Sequence, residues 1–115
     1  MSRRREGQIL EIEFSILDAA LELQRLGADV YGFSLAKTIS EMSGSRSLTA
    51  HGTLYKALSR LVDRGLLESA WEAAEVAEEA GRPRRRLYTV TGEGARAAAS
   101  QVAERSVSVR KVALA

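Results

Sequence analysis

Within residues 51 to 71 the spacing of apolar side chains changes period at one glycine. In HGTLYKALSRLVDRGLLESAW, Leu54, Ala57, Leu58, Leu61 and Val62 recur at helical spacing up to Gly65. Past it, Leu67, Ser69 and Trp71 alternate with Leu66, Glu68 and Ala70, as in a strand lying on a core. Thr49 is placed to cap the helix, which spans about 50 to 64, and Gly65 suits the left-handed residue that commonly ends one. RRLYTV, residues 85 to 90, reads as the antiparallel partner of the strand at 66 to 71. The Ala- and Glu-rich connection between them ends in GRPR, whose Gly81 and Pro83 suit a turn.

The rest of the pattern is helical. Over residues 8 to 26, Ile9, Ile12, Ile16, Ala20, Leu23 and Leu26 form one apolar stripe. Leu10, Phe14, Leu17 and Leu21 form another, about 160° away on the helical wheel. Two opposed stripes imply burial on two sides, against a second protomer or within a domain that wraps the helix. Gly32 to Met42 carries Leu35, Ile39 and Met42 at core-facing spacing, and the polar turn SGSRS follows. Thr91 is placed to cap a last helix from 94 to about 114, whose Ala98, Val102 and Val109 share one side.

The order helix, helix, helix, hairpin, helix is the layout of a winged helix-turn-helix, a mainly α fold with a small β-hairpin. We expect the DNA-binding unit at 1–91, with a basic arm at 1–7, and a C-terminal dimerisation helix at 92–115. Leu10, Phe14, Leu17, Leu21, Ala98, Val102 and Val109 are the candidate dimer contacts.

Composition narrows the chemistry. The 115 residues include no cysteine and one histidine, so thiol catalysis and a conventional zinc site are not expected. No Gly-rich phosphate loop or paired catalytic carboxylates stand on a recognisable scaffold, which argues against an enzyme or a resident cofactor. No apolar run approaches the roughly 20 residues that span a bilayer, and the basic start lacks a signal-peptide core, so a cytoplasmic location is expected. The formal charge is only +2, but it is unevenly spread. Arg3, Arg4 and Arg5 cluster at one place and Arg82, Arg84, Arg85 and Arg86 at another, while Glu72, Glu75, Glu78 and Glu79 gather between the strands.

The helix at 50–64 has the character of a recognition helix. His51, Gly52 and Thr53 are modest helix formers, retained at the end that would approach base edges in a major groove. Thr53 and His51 can read bases, Gly52 permits close approach, and Tyr55, Lys56, Ser59 and Arg60 stand off the apolar stripe. Thr49 lies at the helix start, whose free amides suit a phosphate. Arg82, Arg84, Arg85 and Arg86 would line the wing along the duplex, with residues 72 to 79 directed away from it or mobile. Each of these side chains also suits an ordinary solvated surface. Trp71 reads as a structural residue at a core edge.

Three blocks carry a family resemblance: YGFSLAKTIS, GTLYKALSRLVDRGLLES and GRPRRRLYTVTGEG. In order and spacing they resemble the PadR family of transcriptional regulators, specifically its small subfamily with a single C-terminal helix. The resemblance implies a homodimer on palindromic double-stranded operator DNA, usually a repressor relieved by a small-molecule effector. The chain departs from the family pattern in its long acidic connection and in carrying Leu87–Tyr88 where many members have paired tyrosines. It also lacks any aromatic residue in the last helix, where some small members hold flat drugs. The alternative is a winged-helix protein-interaction module that does not read DNA, which would favour an acidic or apolar recognition helix.

Overall fold

The computed structural model describes residues 9–43 and 51–114. Helices α1 (Glu11–Arg25), α2 (Gly32–Ser43) and α3 (His51–Asp63) precede strand β1 (Leu67–Trp71). A short helix α4 (Ala74–Ala80), strand β2 (Arg86–Val90) and the 23-residue α5 (Gly92–Leu114) complete the chain. The mainly helical fold with one antiparallel hairpin is the expected class.

α1 is the centre of the domain, touching α2, α3, α5 and β2. Ile9, Ile16, Ala20 and Leu23 of its first stripe and Phe14 and Leu17 of its second are all buried. The domain itself therefore fills both sides of this helix. Of the two readings of the opposed stripes, this is the domain that wraps the helix: Phe14, Leu17 and Ala98, expected as dimer contacts, are buried within it. Leu10 and Val102 stay exposed, at 41% and 49%, and Leu21 is half-buried. The side chain of Val109 lies outside the described residues, as does the basic arm.

The helix-to-strand switch at Gly65 is a Schellman-type turn. Gly65 has φ +76°, its N–H donates to the Val62 carbonyl, and the Leu66 N–H donates to that of Leu61. Strand pairing then runs from Leu67 opposite Val90 to Trp71 opposite Arg86. The outer edge of β2 is tied to the α1–α2 region, because Tyr88 N–H donates to the Val30 carbonyl and Val90 N–H to the Gln24 side chain. Thr91 caps α5 as expected, its Oγ1 accepting from the Gly94 N–H at 3.0 Å. The Ala- and Glu-rich connection, for which no element was expected, contains α4, a run of good helix formers that ends at Gly81 with φ +68°.

Candidate nucleic-acid interface

The apolar face of α3 enters the core through Leu54, Ala57, Leu58 and Leu61. That burial leaves Gly52, Thr53, Tyr55, Lys56 and Ser59 exposed. Tyr55 leans its ring towards the start of α2, where a Cβ at Gly32 would collide with its hydroxyl group. The absence of a side chain at Gly32 thus leaves room for the Tyr55 ring against the start of α2. Thr49 and the His51 side chain lie outside the described residues.

Arg60 departs from the expected arrangement. Its guanidinium turns back to α1, where Nε donates to Glu13 Oε2 at 2.9 Å. Arg64 donates to the other oxygen of the same carboxylate at 3.3 Å. Glu13 is fully buried and also accepts the Leu10 N–H at 2.8 Å. A buried carboxylate needs this much compensation, so the charge of Arg60 is offset inside the domain.

The wing arginines divide in a similar way. Arg82 is spent on Glu72, with N···O distances of 2.6 and 2.9 Å. Glu72 is itself buried, not directed away or mobile, which corrects that expectation for the first acid of the connection. Its carboxylate also accepts the Arg85 N–H, and its carbonyl accepts Nε of Arg84 at 2.9 Å. The Arg82 guanidinium, aided by Arg85, holds the Glu72 carboxyl at about 2, well below the usual carboxylate range, despite burial. Glu75, Glu78 and Glu79 of α4 are exposed.

Arg84, Arg85 and Arg86 form no ion pair among the described residues. Arg85 lies over the Tyr31 ring at 4.1 Å and Arg86 over the Trp71 ring at 5.1 Å. Trp71 is 57% exposed, so the expected core-edge role gives way to a surface one. Its position at the end of β1, beyond the last buried strand residue, explains the difference. Together with Tyr31, Gly32, Tyr55 and Tyr88, these residues line a cleft of about 370 Å³ between wing, α2 and α3. Burial raises the Tyr88 hydroxyl above its ordinary pKa, and the nearby Arg86 charge opposes the rise.

Two residues of this region escaped the sequence reading. Tyr31 carried no signal of its own. Glu13 carried one: on the helical wheel it falls in the narrow gap between the two apolar stripes of α1. Where the domain covers both stripes the residue between them is enclosed, whereas Gln24, in the same gap near the end of the helix, is exposed.

An exposed polar helix start beside an arginine-rich hairpin is the constellation of a winged helix-turn-helix regulator. Three solved structures share the fold. A transcriptional regulator from Clostridium thermocellum is 23% identical with TM-score 0.67, over 88% of this chain and 85% of its own. A PadR family transcription regulator from hypervirulent Clostridium difficile is 25% identical with TM-score 0.69, over 88% and 92%. A PadR family regulator from Eggerthella lenta is 28% identical with TM-score 0.61, over 90% and 83%. A comparison with curated proteins gave no match. The profile of the transcriptional regulator PadR-like family matches residues 21–100, and the chain belongs to that family. It is a transcription regulator and not an enzyme. Among the described residues, no helix is long and apolar enough to cross a membrane.

Proposed function

We propose that the protein binds palindromic operator DNA as a homodimer and represses transcription there, with a small-molecule effector relieving the repression. The observation that carries DNA binding is the shared cleft. It sets Tyr55 of α3 against Arg84, Arg85 and Arg86 of the wing, three cations that no carboxylate among the described residues neutralises in an ion pair. A duplex with α3 in its major groove meets Thr53, Lys56 and Ser59 on the helix and these arginines along the backbone. The acidic face of α4 is kept off the phosphates by like charge. Family membership supports the reading of repression and relief, and a two-fold dimer would call for a symmetric operator.

DNA fragments co-purified with the protein from its native cell supply the duplex for the test. On that duplex, Thr53→Ala should cost roughly 1–3 kcal/mol while leaving random DNA almost unaffected, the mark of a base contact. Arg84→Ala and Arg85→Ala should weaken both duplexes and each flatten the log–log salt dependence by about 0.9. Salt slopes that stay unchanged in both arginine variants would take the wing off the DNA.

A further inference from the structure

We infer that Glu13 is the positioning residue of the recognition helix: through Arg60 and Arg64 it fixes the direction in which Thr53 points. The inference rests on the reading of α3 as the DNA-reading helix. On the helical wheel Thr53, Arg60 and Arg64 lie within about 40° of one another. They therefore share one stripe that runs from α3 into the turn residue just past its end, exposed at Thr53 and tied to α1 at Arg60 and Arg64. The tie is made by both oxygens of one carboxylate, at 2.9 Å to Arg60 and 3.3 Å to Arg64.

The carboxylate cannot follow a moving partner. Glu13 is fully buried, and the oxygen facing Arg64 also accepts the Leu10 N–H at 2.8 Å. That backbone bond is half of a capping box and anchors Glu13 to the first turn of α1. The apolar contacts of Leu54, Leu58 and Leu61 resist separation of α3 from the core, but they are non-directional. Hydrogen bonds from two residues one turn apart do resist rotation about the helix axis, because turning α3 moves both guanidiniums off the oxygens. Charge favours the same pairing, with the acid at the positive end of α1 and the arginines at the negative end of α3. Arg60 is thereby a positioning cation and not a phosphate contact.

The same first turn of α1 receives α5. Arg105 stacks on Phe14 at 4.1 Å and pairs with Glu11. The long C-terminal helix and the recognition helix therefore meet the same turn of α1, on different faces of it.

Glu13→Gln keeps the shape and an acceptor for the Leu10 N–H while removing the charge that two arginines share. It should lower affinity for the co-purified duplex by about tenfold, the size of one lost base contact, and leave random-DNA affinity and its salt slope as in the parent. Arg60→Ala should lose selectivity to a similar degree, and the double variant should lose little more, as members of one network do. Because the chain has no cysteine, spin labels can be placed at introduced cysteines at Arg25 and Asp63 alone. Their distance distribution should broaden in Glu13→Gln. Unchanged selectivity and an unchanged distribution in Glu13→Gln would overturn the inference. So would a salt slope flattened by about 0.9 in Arg60→Ala, which would return that residue to the phosphates. Should Glu13→Gln fail to fold, the slope of Arg60→Ala still decides. A parent protein with no preferred duplex defeats the DNA-binding reading itself, and the spin-label distances then decide the role of Glu13 alone.

Discussion

Two buried glutamates determine which arginines of α3, its following turn and the wing are free to meet a partner. Glu13 takes Arg60 and Arg64, and Glu72 takes Arg82. What remains on the wing is Arg84, Arg85 and Arg86, spread over aromatic faces and polar oxygens. Glu72 has the clearest dependence on pH. Its carboxyl is depressed from 4.5 to about 2, first by the Arg82 hydrogen bonds. A depressed acid contributes stability that is fully present above its unfolded pKa and is lost as pH falls through the folded one. The contribution of Glu72 should therefore fade between about pH 4.5 and pH 2. In urea titrations Glu72→Gln should be less stable than the parent at neutral pH, with the two converging over that window. A gap that stays constant across it would show that the charge of Glu72 is not what the wing uses.

At the scale of elements, junctions are set by small residues where backbones converge. A Cβ at Gly94 would lie inside the van der Waals envelope of the Leu66 carbonyl oxygen, so α5 can start beside the α3–β1 turn only with glycine there. The neighbouring atom is backbone and cannot swing aside. Gly94→Ala should destabilise the fold by about 1–3 kcal/mol, the usual cost of overpacking, read from the midpoint of urea unfolding. Gly52→Ala, whose Cβ would meet open space, is the control and should leave the midpoint nearly in place. The period change at Gly65 made the α3–β1 junction legible in sequence, since a helical stripe ending at glycine before an alternating run has few structural solutions. α4 was not legible in the same way. Its seven residues bury only Ala77, too few apolar positions to show a period.

At the scale of the molecule, the domain is complete around α1, and what extends from it is α5. Every side chain from Val102 to Val107 is exposed, so Val102 and Val107, with Leu10, offer apolar surface to a second copy. An isologous dimer built there would present two recognition helices to inverted half-sites about 34–36 Å apart. Truncation before Val102 should abolish the dimer in sedimentation, and operator binding with it, while the circular dichroism of the domain persists. Leu10→Glu should give a folded monomer. Leu17→Glu should unfold the chain, because Leu17 is fully enclosed by its own domain. A truncated chain that remains dimeric would remove α5 from the interface.

The sequence by itself determined the order of elements apart from α4, the hairpin, the caps at Gly65 and Thr91, and the polar start of α3. Each of these is written in neighbouring residues, where period, turn chemistry and propensity act over a few positions. The tertiary structure alone decided the state of the arginines. Arg60 meets an acid 47 positions away, Arg82 meets one 10 positions away across the wing, and Trp71 lies open beside Arg86. No local pattern names such a partner. The pairing follows from which faces of α1, α3 and the hairpin the core brings together, and burial then obliges each enclosed carboxylate to find its cation.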